Sequence, residues 1–147
     1  GEILKFSRTK ADDRHVTLNT HIEAMLPLVQ ADEEKISWVI LQLIDNAIKF
    51  TSPGGEVTLS IQSDANKLVI VTVTDTGIGI PGERIKELFE PFHQLDASAT
   101  RRYGGTGLGL ALVQQIIDAH GSVIEVQSDE GKGSKFHFPL LPADQKS

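Results

Sequence analysis

Three groups of residues have the types and spacing to do chemistry. Gln42, Asn46 and Lys49 follow one another at intervals of four and three, which places them on one helix face, displaced from its apolar stripe. Such a row is either the solvated side of a helix or a set of amide oxygens and an ammonium that meets a metal–phosphate group. Magnesium takes oxygen ligands, and lysine meets phosphate as a point charge. Asp75 to Gly82 reads D-T-G-I-G-I-P-G. It is either a plain turn or a site in which Asp75 accepts a hydrogen bond from an exocyclic amine such as adenine N6. In the second case Gly77 and Gly79 let backbone approach the ring, and Ile78 and Ile80 offer apolar walls. Gly104 to Leu110 reads G-G-T-G-L-G-L and runs straight into a helix. Glycine inside a helix costs roughly 1 kcal/mol relative to alanine. The run is either a hinge or a row of bare N–H groups at a helix start, where phosphate is attracted.

Two familiar phosphate motifs are excluded. Gly77, Gly79 and Gly82 fit G-x-G-x-x-G, but Pro81 and the preceding Asp75 fit a dinucleotide fingerprint poorly, and no early βαβ unit surrounds them. A Walker motif fails because Gly131–Lys132 is followed by Gly133, and Val126 stands where its first glycine belongs.

The elements that must position these groups follow from periodicity. Ile36, Val39, Ile40, Leu43, Ile44, Ala47 and Ile48 recur at helical spacing behind a candidate cap, Asp32, with Glu33 and Glu34 at the positive end of the dipole. Ser52 to Gly55 stops that helix. A second strong helix begins near Thr106, turns Leu108, Leu112, Val113, Ile116 and Ile117 inward, and stops at Gly121. Glu2 to Arg14 reads as a modest helix, Glu83 to Phe89 as a short one, and Pro91 to Tyr103 as a long loop. Strands are expected at Val16 to Ile22, Glu56 to Gln62, Lys67 to Thr74, Ser122 to Ser128 and Ser134 to Leu140, with a short one near Leu26 to Val29. The sum is α/β: a two-layer sandwich, helices on one face of a mostly antiparallel sheet. One domain over residues 1–141 and a loose tail over 142–147 account for the chain.

Bulk properties narrow the function. The 147 residues contain no cysteine, which removes thiol chemistry and cysteine-ligated zinc. A net charge of −6, with Arg101–Arg102 the strongest basic cluster, argues against nucleic acid as a partner. No apolar run approaches the ~18 residues of a membrane span, and no signal peptide opens the chain, so a cytoplasmic domain without direct membrane contact is expected, from a parent free to be anchored elsewhere.

Taken together, the motifs make the chain resemble the catalytic ATP-binding domain of two-component sensor histidine kinases, in the GHKL superfamily that includes DNA gyrase, a heat-shock chaperone and mismatch-repair ATPases. L-Q-L-I-D-N-A-I-K-F-T (Leu41 to Thr51) is similar to the N box, and D-T-G-I-G-I to the first glycine box. L-F-E-P-F (Leu88 to Phe92) is similar to the F box. T-R-R-Y-G-G-T-G-L-G-L-A-L (Thr100 to Leu112) is similar to the second glycine box, and S-D-E-G-K-G-S-K-F (Ser128 to Phe136) to the closing signature. The lid sequence leans toward kinases of the hybrid type.

The resemblance implies a Bergerat fold: about five strands in a mixed, mostly antiparallel sheet, three main helices on one face, and a mobile ATP lid. It implies ATP and magnesium as ligands. Asn46 would hold the metal and Lys49 would contact phosphate. Asp75 would read adenine beside Gly77, Ile78, Gly79 and Ile80, with Ser134 assisting through a water. Gly105, Thr106, Gly107, Leu108 and Gly109 would wrap the triphosphate. Phe92 to Tyr103 would be the lid, anchored through Phe89 and Phe92, with Arg101 or Arg102 on the γ-phosphate. The implied partners are the dimerisation domain that carries the phosphoacceptor histidine and a response-regulator receiver domain; the isolated domain is expected to be monomeric.

Two departures from the family pattern carry information. Hydrolysing relatives have a glutamate four residues before the metal asparagine, and histidine kinases usually have asparagine; here Gln42 stands there. An amide lacks the basicity to activate water, which favours transfer over hydrolysis and leaves open whether Gln42 shares the metal site. The acceptor motif H-E-x-x-T-P is absent, since His15, His21, His93, His120 and His137 all lack its context. Each is expected to be structural or solvated, so nucleotide binding without self-phosphorylation is expected. Trp38 serves either packing or docking against the acceptor domain. The rival readings are a gyrase-type ATPase or clamp, and a nucleotide-binding scaffold without transfer.

Overall fold

A computed structural model describes residues 4–26, 29, 31–77, 108–129 and 131–141. In chain order the elements are α1 (Lys5–Asp13), β1 (Thr17–Ile22), α2 (Glu33–Phe50), β2 (Glu56–Ser63), β3 (Val69–Asp75), α3 (Leu108–Ala119), β4 (Glu125–Asp129) and β5 (Gly133–Leu140). The strands form one five-stranded sheet in the order β1-β2-β3-β5-β4. The β1–β2 pair is parallel and the other three pairs are antiparallel, so the sheet is mixed and mostly antiparallel.

Register explains which face is buried. Thr20, Leu59, Val73, Phe136 and Val126 lie in one row across the five strands, and Leu18, Val57, Asp75, Ser134 and Ser128 in the next. Alternation then turns Thr58, Thr72, Thr74, Gln127 and Lys135 to the opposite, more open face. The helices supply the second layer. All seven apolar residues that set the period of α2 are buried, and they join Val113 and Ile117 of α3 and Phe138 of β5 in one core. Trp38 is partly buried against that core, which gives it a packing role.

Local chemistry sets the ends of these helices. Asp32 caps α2 by accepting from the Lys35 N–H at 3.1 Å. The last turn of α3 closes with Ser122 N–H donating to the Ile117 carbonyl and Gly121 N–H to that of Asp118, with Gly121 at φ 73°. His120, at this terminus, bridges the two helices. Its Nδ1 lies 2.8 Å from the Ile116 carbonyl, and its Nε2 accepts from the Asp32 N–H at 3.0 Å. The ring is therefore the Nδ1–H tautomer, and it ties the end of α3 to the start of α2.

Several boundaries differ from those expected. α1 ends at Asp13, because His15 takes a left-handed φ of 59° that a helix cannot continue through. β4 begins at Glu125 rather than Ser122, whose N–H closes the α3 turn and whose hydroxyl donates to the Pro139 carbonyl at 2.6 Å. The strand expected near Leu26 to Val29 is represented among the described residues by a single bridged residue, Val29. The short helix at Glu83 to Phe89, the loop at Pro91 to Tyr103 and the tail 142–147 lie outside the described residues.

Candidate functional site

The sheet carries its polar chemistry at one end. In the row Leu18, Val57, Asp75, Ser134, Ser128, apolar side chains give way to a carboxylate and two hydroxyls on the face that the helices cover. Asp75 is the last residue of β3 and only 4% exposed. Its carboxylate accepts from the Gly77 N–H at 2.8 Å, an aspartate turn onto its own backbone, and from the Ser134 N–H across the β3–β5 pair. Burial pushes its pKa above the ordinary carboxylate value, while the two N–H donors pull it down. The outcome is a desolvated acceptor that two backbone bonds only partly compensate.

Glycines make this approach possible. A Cβ on Gly77 would lie 2.3 Å from the Phe50 carbonyl oxygen, so the loop after β3 presses against the end of α2. A Cβ on Gly133 would lie 2.1 Å from the Asp75 carbonyl oxygen, and Gly133 has φ 105°, a conformation that side chains rarely adopt. The hydroxyls of Ser134 and Ser128 are 2.9 Å apart, and Ser128 lies 3.1 Å from the Gly133 carbonyl. A cavity of about 190 Å³ opens here, lined by Thr74, Asp75, Gln127, Ser128, Lys132, Gly133, Ser134 and Lys135. Thr74, Gln127 and Lys135 belong to the open face of the sheet, so this cavity wraps the strand ends rather than lying under the helices.

The other side comes from α2. Gln42 and Asn46 are half-buried beside its apolar stripe, and Lys49 is exposed one residue before Phe50. Asn46 thus stands one turn upstream of the carbonyl that meets Gly77. Among the described residues no three His, Cys, Asp or Glu side chains cluster as a metal site. Ile78, Gly79, Ile80, Arg101, Arg102, Gly105, Thr106 and Gly107 lie outside the described residues, and Leu108 and Gly109 form the opening of α3. Gly133 and Ser128 are structural members of the site that residue spacing did not single out. Both lie within the Ser128 to Phe136 segment that resembles the family's closing signature, which was the signal pointing to them.

A mixed five-stranded sheet under three helices, with a buried carboxylate at one strand end and its following turn pressed against the end of the long helix, is the architecture of a known class of ATPases. The chain belongs to the family of histidine kinase-, DNA gyrase B-, and HSP90-like ATPases, which it matches over residues 31–145. Its relatives include sensor kinases. The chain is 37% identical over 146 residues to the sensor histidine kinase WalK of Bacillus subtilis, covering 95% of this chain and 24% of that protein. It is 43% identical over 139 residues to the adaptive-response sensory kinase SasA of Crocosphaera subtropica, covering 95% and 36%. Full-length ShkA in complex with AMPPNP superposes with a TM-score of 0.82 at 28% identity, covering 97% of this chain and 29% of that one. The catalytic domain of histidine kinase ThkA gives 0.80 at 27%, covering 96% and 88%. The chain is therefore a histidine-kinase ATP-binding domain, spanning about a quarter to a third of the curated relatives named here. Among its described residues no helix is long and apolar enough to cross a membrane.

Proposed function

We propose that the chain binds magnesium-ATP and donates the γ-phosphoryl group to a histidine on a separate dimerisation domain, from which a response-regulator receiver domain then takes it. The observation that carries this reading is Asp75: a buried carboxylate, fixed by two backbone N–H groups, in a turn whose Gly77 presses against the end of α2. An acceptor so placed reads an exocyclic amine and rejects a ring carbonyl at the same position. Ser134 assists from the same row, and Ile78 and Ile80 wall the base.

The donor set suits magnesium. Asn46, with Gln42 one turn before it, offers amide oxygens and no cage of carboxylates, as befits an ion that keeps waters and substrate phosphates as its other ligands. When bound, the ion supplies charge neutralisation on the phosphates. Lys49 adds a point charge, Arg101 or Arg102 contacts the γ-phosphate, and the N–H groups from Gly105 to Gly109 wrap the chain of phosphates at the start of α3. Phosphoryl transfer is mostly positioning, so the acceptor histidine must be brought in line by the partner domain. Gln42, an amide, cannot itself be the base that activates water, which favours transfer over hydrolysis.

Titration with a fluorescent ATP analogue and magnesium, followed by incubation with labelled ATP and a phosphoacceptor domain, tests both halves. Binding, slow turnover alone and label on the acceptor histidine are expected. No binding at millimolar nucleotide, or steady hydrolysis by the chain alone, refutes the proposal.

A further inference from the structure

The end of α2 is fastened by a residue from outside the site. A helix leaves its last four carbonyls without intrahelical donors. Here the Ala47 carbonyl accepts from the Thr51 hydroxyl at 2.7 Å, and that of Ile48 from the Thr51 N–H at 3.3 Å. The Phe50 carbonyl is the one that Gly77 presses against. Arg14, in the turn after α1, completes the set: its Nε donates to the Ile48 carbonyl at 3.3 Å and its Nη2 to the Lys49 carbonyl at 3.1 Å. The same turn is stitched to the loop after α2, with Gly54 N–H donating to the His15 carbonyl at 2.7 Å and Thr17 N–H to that of Gly55 at 3.0 Å.

We propose that Arg14 is a positioning residue for phosphate binding, acting through the backbone of Ile48 and Lys49. Two consequences follow from one guanidinium. Its fork fixes the last turn of α2, and with it the direction in which Lys49 and, one turn earlier, Asn46 are presented. Its charge also sits at the negative end of the α2 dipole, where it offsets the partial charge that the end carrying Lys49 would otherwise present. Both effects act first on the phosphate half of the site; the Asp75 half is reached only indirectly, through the Phe50 carbonyl that Gly77 presses against. This inference rests on the nucleotide-binding reading above.

The experiment compares magnesium-ATP with adenosine, which needs the Asp75 half only. Calorimetric titrations are run on the whole chain as wild type, Arg14→Met, Arg14→Lys and Lys10→Ala. Methionine keeps the aliphatic stem and removes the donors and the charge. Lys10→Ala breaks the 3.0 Å pair with Asp45, another α1–α2 contact, without touching the carbonyls. For Arg14→Met, the magnesium-ATP Kd is expected to rise about tenfold, since a small misplacement of positioning groups has effects of that order. Adenosine binding is expected to stay within about twofold, well below one hydrogen bond's worth. Arg14→Lys, with one point charge for two carbonyls, falls between, and Lys10→Ala binds both ligands as wild type does.

Parallel weakening of ATP and adenosine, or a Lys10→Ala loss equal to that of Arg14→Met, means general loosening and overturns the proposal. So does an Arg14→Met chain, folded by circular dichroism, that binds magnesium-ATP as wild type. Should Arg14→Met not fold, Arg14→Lys decides alone, and wild-type ATP affinity there overturns it. Failure of wild type to bind ATP would instead refute the underlying function.

Discussion

Asp75→Asn separates recognition from stability more sharply than any other single change. The Asp75 carboxylate already accepts from the Gly77 N–H through Oδ1 and from the Ser134 N–H, so an asparagine there must keep its oxygen on those donors. Its NH2 then faces the ligand, and an exocyclic amine meets another donor. Losing a charge-assisted hydrogen bond at a buried site costs about 1.5–3 kcal/mol, equivalent to roughly 10- to 150-fold in ATP affinity. Preference for ATP over GTP should narrow at the same time, because a donor at this position suits the ring carbonyl of guanine. Stability behaves oppositely. Burial raises the pKa of Asp75 in the folded state, so its ionised form weakens folding at neutral pH, and asparagine removes that penalty while giving up part of one backbone bond. The melting temperature of Asp75→Asn should therefore lie within about 5 °C of wild type at pH 7. Calorimetric titration with ATP and GTP, paired with thermal melts, reads both quantities. A change in ATP affinity below about threefold, less than 1 kcal/mol, would show that this carboxylate does not read the base.

Two further substitutions test the scaffold. Gly77→Ala drives a Cβ to within 2.3 Å of the Phe50 carbonyl oxygen, so it should destabilise by about 1–3 kcal/mol in denaturant melts, and an unchanged midpoint would contradict the close approach. His120→Ala removes the bond that joins α3 to the Asp32 N–H, along with the one that orients the ring on the Ile116 carbonyl, and should cost about 1–3 kcal/mol of stability, with nucleotide affinity little changed; a cost under about 0.5 kcal/mol would mean the bridge is incidental.

How much of this was legible depends on the range of the cause. α2 was readable to its cap, because seven apolar residues at helical spacing and Asp32 before them are local signals that the packing then obeys. The turn at Asp75 and Gly77 was readable because dense glycines after a β-branched strand mark a backbone that closes sharply. The start of β4 was not, since Ser122 belongs to the α3 turn through bonds to Ile117 and to Pro139 on another strand. Gly133 was equally opaque: its need arises from the Asp75 carbonyl, which only the β3–β5 register brings near. Arg14 was opaque for the same reason, since its partners are the carbonyls of Ile48 and Lys49, which no side-chain pattern reveals.

The proton affinity of Asp75 also makes ligand binding depend on pH, with a definite sign. In the empty site burial outweighs the two N–H donors, so the carboxyl holds its proton up to a higher pH than an ordinary carboxylate. A bound amine that donates to the carboxylate favours the ionised form and lowers that pKa. By linkage, binding then releases protons below the raised value, and affinity weakens as pH falls through it, the window lying above the ordinary carboxylate value of 3.8. Stability moves the other way: because the folded pKa is raised, the contribution of Asp75 is full below the unfolded value and is lost as pH rises through the folded one. Acidification should thus stabilise wild type relative to Asp75→Asn while loosening its hold on ligand. Adenosine is the right probe, having no phosphate to titrate. Its affinity should fall with acidification in wild type and stay flat in Asp75→Asn. A wild-type profile as flat as the variant's would mean that the carboxylate and the base do not meet.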